Sequence, residues 1–288
     1  MEKFAHLIQT EVEEDNWKPF RLKKSGTCIS HLFFADDLML FAEADMDQAA
    51  IIKACLDDFC AASGEKVNNM KSRIFFSKNV NHTKVNEISN FMGFSPCVDL
   101  GRYLGVPLIH QKVTRRSQEY ILGKMDKKLS QWKANTLSSA AHYTLVHSVV
   151  SVIPSYDMQT ISLLSSTCNE IDKRCRKFLW GGSEARSKVN LVSWDKVCMR
   201  KEVGGLGLRK AKLQNNAFMM KLGWSLINRK DVLWVQLMRE KYGCGLRVMP
   251  HINSSRAGSQ VWKGVKNIWS KVQNDIFWQL GNGNSIRF

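Results

Sequence analysis

Residues 28 to 42 constrain the fold more than any other stretch. Cys28 to Phe34 and Leu38 to Ala42 are short apolar runs rich in strand-compatible residues, joined by Ala35-Asp36-Asp37. Strand, polar turn, strand is the pattern of a β-hairpin with the two acids at or beside its turn. Just downstream, Asp45 or Asp47 is placed to cap a helix in which Ala49, Ile52, Leu56 and Phe59 recur at helical spacing. Ser63-Gly64 ends that helix, and Lys71 to Phe76 reads as a further strand. The order predicts an α/β domain whose helix covers one face of the sheet, not a helical bundle.

Two readings of Asp36 and Asp37 stand on residue chemistry alone. Acids are common in solvated turns for backbone reasons. Two like charges close to Phe33, Phe34 and Leu38 also carry an electrostatic cost that a divalent cation would offset. Composition leans toward polyanions: 42 Lys and Arg against 26 Asp and Glu give a formal charge of +16 over 288 residues, which suits nucleic acid or an anionic surface. At 44% hydrophobic content the chain can bury a core in two or more subdomains. It has no long charge-free apolar run and no signal-peptide pattern at its start, so an intracellular protein with no membrane association is expected, the nucleus being one candidate compartment. Eight cysteines without a CxxC pair, and histidines without HExxH spacing, identify no zinc site and no disulfide framework.

An ordered series of blocks carries a resemblance. ISHLFFADDLMLFAEA at 29 to 44, SGEKVNNMKSRIFFS at 63 to 77, GRYLGVPL at 101 to 108 and LSQWKANTLSSAAHYTLVHSVVSVIPSY at 129 to 156 are followed by FLWGG, VSWDKVCMRKEVGGLGLR and GNGNSIRF. Together they cover nearly the whole chain, and they resemble the reverse transcriptase of plant non-LTR, LINE-type retrotransposons. Longer relatives of that kind carry ribonuclease H labels. The resemblance implies a partial polymerase palm over residues 1 to 110, a mainly helical thumb over 111 to 180, and a helical, Trp-rich connecting region over 181 to 288, upstream of a zinc-binding or ribonuclease H module not found among these residues.

What the resemblance implies for chemistry is specific. Asp36 and Asp37 would be the metal-binding turn for Mg2+, or Mn2+ in its place, with Asp36 the direct ligand and Asp37 a second ligand or electrostatic support. Lys71 would approach the incoming triphosphate. Gly101, Tyr103, Leu104 and Gly105 would form the primer grip, where a small displacement of the reacting hydroxyl weakens phosphoryl transfer. The implied partners are an RNA template, an RNA/DNA or DNA primer duplex, and deoxynucleoside triphosphates once the site is complete.

The second half reads as basic helices. Ile121, Met125, Leu129 and Trp132 recur from about Gln118 onward beside Lys124, Lys127, Lys128 and Lys133. Leu145, Val149 and Val152 suggest a second helix, and Leu164, Cys168, Ile171, Cys175 and Phe178 a third, with Lys173, Arg174, Arg176 and Lys177 alongside. Their apolar stripes pack, and their basic faces could meet phosphates with little base specificity. Further on, Leu213, Ala217, Met219, Met220 and Trp224 are expected to pack, Gly204-Gly205-Leu206-Gly207 to form a flexible turn, and His251 to Gly258 to form an exposed linker. The early palm block with its separate aspartate is not found ahead of the acidic pair. The expectation is therefore an RNA-directed DNA polymerase fragment, inactive alone, with a non-catalytic nucleic-acid-binding or protein-interaction module as the rival.

Overall fold

A computed structural model describes residues 1–23, 26–108, 113–130, 132, 137–181, 189–245, 247–252, 258–277 and 279. Lys133, most of the expected linker and GNGNSIRF lie outside the described residues. The chain divides into two compact units, Met1–His110 and Gln111–Phe288.

The first unit is α/β with small open sheets. It begins with α1 (Glu2–Glu13), then β1 (Phe20–Arg21) and β2 (Cys28–Ile29), which pair antiparallel. The hairpin follows as β3 (His31–Phe34) and β4 (Asp37–Leu40), in register Phe34↔Asp37 and Phe33↔Leu38. α2 (Met46–Ser63) ends at Gly64, whose φ of 76° supplies the left-handed cap that other residues resist. β5 (Arg73–Phe75), α3 (His82–Met92) and β6 (Ser95–Cys97) make a parallel pair joined by a helix, and β7 (Arg102–Tyr103) turns back on β8 (Val106–Pro107). The order strand, acidic turn, strand, helix, strand is as expected. The single helix-covered sheet is not: the strands form four two-stranded sheets among the described residues.

Alternation explains how the hairpin is held. Paired residues share a face, so Phe33, Leu38 and Leu40 pack with Phe4 and Ile8 of α1 and Leu56 and Phe59 of α2. Phe33 stacks on Phe4 at 5.6 Å between ring centres, and Phe4 meets Phe59 at 4.9 Å. Buried Gln48 fixes the approach to this core, donating to the Asn16 carbonyl at 2.8 Å and accepting from the Lys18 amide at 2.7 Å. Asp45 stands at the N-cap of α2 without a side-chain capping bond, its carboxylate taken instead by Lys84 of α3 at 2.6 Å. That contact holds the Asp45 carboxyl below the usual carboxylate range.

The second unit is mostly helical. A 3₁₀ turn at Arg116–Gln118 leads into α4 (Glu119–Ser130). Next come α5 (Ser139–Leu145), a π-helical turn at Val146–Val150, α6 (Ser155–Met158), α7 (Ser165–Leu179) and α8 (Trp194–Val197). α9 (Ala211–Asn228), α10 (Leu233–Tyr242) and α11 (Gln260–Asn274) complete it. α4 buries Ile121 and Met125, and α7 buries Cys168, Ile171, Cys175 and Phe178, the faces their periodicity predicts. Met219, Leu226, Trp262, Val265 and Trp269 centre a core between α9 and α11. Tyr242 stacks flat on Trp262 at 4.0 Å and accepts from the Ser259 amide at 2.9 Å.

Buried polar side chains join these helices. Gln118, the expected first residue of the amphipathic stripe, accepts from the Thr167 hydroxyl at 2.8 Å and the Leu164 amide at 3.1 Å. Asn215 of α9 binds the Leu163 amide and the Ile161 carbonyl. Asp172 of α7 accepts from the Ala211 amide at 2.9 Å, satisfying one orphan donor at the start of α9.

Burial raises the Asp172 carboxyl above its ordinary range, against the lowering effect of that amide bond. The folded state therefore binds this proton more tightly than the unfolded chain, and Asp172 lowers stability as pH rises through its folded pKa. Asp172→Asn keeps an acceptor for Ala211 and removes the titration. Urea midpoints of the two proteins should converge toward pH 4 and separate toward pH 7, the variant being the more stable. A constant difference would show that ionisation of Asp172 costs the fold nothing.

Candidate functional site

Asp36 and Asp37 sit at the exposed tip of the β3–β4 hairpin, carried out from the core by a scaffold packed on two helices. The turn is tight. Ala35 takes φ = 51° at its first central position, a left-handed conformation that costs a non-glycine residue about 1–2 kcal/mol. Backbone strain of this kind concentrates at functional turns. Phe34 is 59% exposed beside the acids, so the face opposite the core is apolar up to the carboxylates. Ala35→Gly should relieve the strain and raise stability by about 0.5–1 kcal/mol, less glycine's entropic cost, read as a higher urea midpoint.

The other predicted residues fall on separate elements. Lys71 is exposed in the turn entering β5, its amide bonded to the Asn68 carbonyl at 3.0 Å, and so belongs to a different sheet from the acidic pair. Gly101, Tyr103, Leu104 and Gly105 are brought together in the β7–β8 hairpin. Leu104 (φ 50°) and Gly105 (φ 78°) both take positive φ in its two-residue turn, the type I′ pattern that matches strand twist. The Gly101 carbonyl accepts from the Leu108 amide at 2.9 Å and closes the ladder. Among the described residues no group of three His, Cys, Asp or Glu side chains converges as a metal cage.

On α4 and α7 the predicted cations divide. Arg174 grips both oxygens of Asp126, at 2.7 and 3.0 Å, and reaches Glu170 at 2.9 Å, contacts that raise its already high pKa. Lys124 lies 3.5 Å from the fully buried Asp157, which also accepts from the Tyr120 hydroxyl at 2.5 Å. Lys173 stands 3.9 Å from Glu170. Lys127 and Lys128 are exposed and in no ion pair among the described residues, with Lys128 over the Trp132 ring at 5.9 Å. Arg176 and Lys177 are half-buried, Arg176 within electrostatic reach of Asp172. The acids that take up Arg174 and Lys124 were missed by sequence reasoning. Only the i, i+4 spacing of Glu170 and Arg174 could have disclosed one of them.

No protein-family model matches the chain. The chain is 34% identical over 185 residues to "Putative ribonuclease H protein At1g65750" of Arabidopsis thaliana, a match covering 64% of this chain and 30% of that protein. It is 31% identical over 132 residues to "Uncharacterized mitochondrial protein AtMg00310" of the same plant, a match covering 46% of this chain and 85% of that protein. The chain belongs to the AtMg00310 family. Its match with the longer relative spans under a third of that protein's length. Among the described residues no helix is long and apolar enough to cross a membrane.

Proposed function

We propose that this member of the AtMg00310 family is part of a LINE-type reverse transcriptase: the acidic turn of an RNA-directed DNA polymerase palm, its primer grip, and a thumb that holds the template-primer duplex. The observation that carries the reading is the pair Asp36 and Asp37, held at the exposed tip of a strained hairpin that is anchored on two helices. Neither side chain contributes to the core, which leaves both carboxylates open to a bound ion. The similarity to a protein named for ribonuclease H supports nucleic-acid processing as the general class.

The two carboxylates are hard oxygen donors and suit Mg2+ or Mn2+ as a partial ligand set. They fall short of a two-ion site, since no third acidic or histidine side chain joins them among the described residues. A bound divalent ion would polarise phosphate oxygens and the attacking hydroxyl. Asp36 would hold the ion, Asp37 would fix its position, and the β7–β8 hairpin would hold the primer end, with Lys71 offering charge to the triphosphate. Lys127, Lys128, Arg176 and Lys177 would meet duplex phosphates, with Lys124, Lys173 and Arg174 ordering the face from their ion pairs. The further carboxylate needed for synthesis must come from outside the described residues.

The open cations of α4 also favour a second reading, a module that binds nucleic acid without catalysis. Primer extension on an RNA template separates the two. With Mg2+ and a fingers and early-palm segment of a LINE-type enzyme supplied in trans, synthesis is expected, and it should be lost in the Asp36→Asn, Asp37→Asn double variant. Salt-sensitive duplex binding with no extension under either condition would leave the non-catalytic module. Absence of duplex binding at low salt would overturn both readings.

A further inference from the structure

The glycine-rich stretch expected to be a flexible turn is a fixed wall. The Leu206 amide donates to the Val197 carbonyl at 2.9 Å, the Gly207 amide to the Met199 carbonyl at 2.9 Å, and the Gly205 amide to the Arg200 carbonyl at 3.0 Å. A Cβ on Gly205 would lie 2.1 Å from the Met199 carbonyl oxygen, so two backbone segments are pressed together there. From the far side, the Tyr143 hydroxyl donates to the Leu206 carbonyl at 3.1 Å, and Lys201 lies over the Tyr143 ring at 5.6 Å.

α9 faces this wall with the wrong side for a helix that has finished packing. Met219 is buried, but Leu213, expected to pack with it, is 60% exposed and lines the cleft, while Trp224, 48% exposed, lies outside that lining. Between wall and helix lies an open cleft of about 680 Å³, which shares Arg200 and Gly207 with a separate hollow of about 510 Å³. Met199, Leu208, Leu213 and Phe218 make its floor, and Arg200, Arg209 and Lys221 stand on its rim in no ion pair among the described residues. Asp195, the acid on its lining, is taken by Lys210 at 2.6 Å.

We propose that this cleft docks an acidic amphipathic helix of a partner protein. Two features select the occupant. The floor carries one aromatic ring, Phe218, among Met199, Leu208 and Leu213, where single-stranded nucleic acid would call for a row of aromatic planes on which successive bases stack. An apolar centre with a charged rim is instead the anatomy of a protein interface, and apolar anchors at Leu213 and Ala217, one helical turn apart, suit a helix laid in a groove. Unpaired Arg200, Arg209 and Lys221 make acidic flanks the complementary charge. The preformed wall means that docking orders little of this chain. The site stands apart from the polymerase reading and uses none of its residues.

A fluorescein-labelled, hydrocarbon-stapled peptide of about 15 residues tests it, with leucines on one face and glutamates on both flanks, the staple being needed because short isolated helices are marginal in water. Anisotropy titration of the full chain should give a dissociation constant on the order of 10 μM that weakens with salt. Arg200→Glu with Lys221→Glu should weaken binding at least tenfold, as should Leu213→Glu. A peptide with lysines in place of the glutamates should bind the double variant better than the original chain, which also shows that the variant is folded. Lys127→Glu with Lys128→Glu should leave peptide binding unchanged while weakening duplex binding. Failure of the acidic peptide to bind, indifference to the Arg200 and Lys221 changes, or displacement of the peptide by an oligothymidylate strand would overturn the proposal. So would sedimentation showing that Leu213→Glu abolishes self-association, which would assign the cleft to a second copy of the chain.

Discussion

Asp36→Ala should leave the fold almost untouched and remove metal-dependent synthesis. The side chain is exposed at a hairpin tip and lies outside the core that holds the strands. Surface changes away from buried features usually move stability by less than about 0.5 kcal/mol. If the proposed chemistry is right, the same change removes the ligand that aligns a divalent ion with the reacting phosphate, and complemented primer extension should fall by about 10³-fold or more. Asp37→Ala should cost less, since in the proposed reading Asp36 holds the ion and Asp37 only fixes its position. Two measurements check this: urea unfolding for the first half and single-turnover extension for the second. A variant that unfolds early would return the acids to a structural role. A variant that is stable and fully active would sink the metal assignment.

The hairpin and the main helices were legible because each depends on local order. Apolar residues at Ala49, Leu56 and Phe59, and at Cys168, Ile171, Cys175 and Phe178, fix a helix face whatever lies across from it. Sheet membership is different in kind. Whether β5 continues the β3–β4 ladder or pairs with β6 depends on partners distant in sequence, and four small sheets carry the same local signals as one larger sheet. α9 illustrates a second limit. Leu213, Ala217, Met219, Leu226 and Trp224 place apolar residues around much of the helix, so periodicity does not say which side faces the core. The buried polar ties were hidden for a third reason: Gln118, Asn215 and Asp172 answer to backbone groups at Leu164, Leu163 and Ala211, which no spacing rule connects. In the candidate site, the position of the acids at a hairpin turn could be read from residue types, while their role and that of the β7–β8 turn were implied only by the resemblance. The division of the cations into those held by Asp126, Glu170 and Asp157 and those left open could not, because it is decided across helices.

Gly205→Ala is the single methyl group expected to do most damage. Its Cβ would sit 2.1 Å from the Met199 carbonyl oxygen, 2.4 Å from the carbonyl carbon and 2.7 Å from Cα, all main-chain atoms that no rotamer change can move aside. Relief requires the Met199 carbonyl to swing away, which breaks its bond from Gly207 and shifts the Leu206 amide off the Val197 carbonyl. Each lost bond costs about 1 kcal/mol and the overpacking about 1–3 kcal/mol more, so a loss of roughly 3–5 kcal/mol is expected. Gly204→Ala is the control. Its added Cβ meets nothing within 4 Å, and the cost is the backbone strain at φ = 84°, about 1–2 kcal/mol. Hydrogen exchange should show the Leu206 and Gly207 amides losing protection in the Gly205 variant well beyond the Gly204 variant. The acidic peptide should then bind the Gly205 variant weakly, because the wall that preforms the cleft has gone while Arg200, Arg209 and Lys221 all remain. Equal protection in the two variants would mean that the turn yields to the extra methyl, and that the cleft owes its shape to α9 alone.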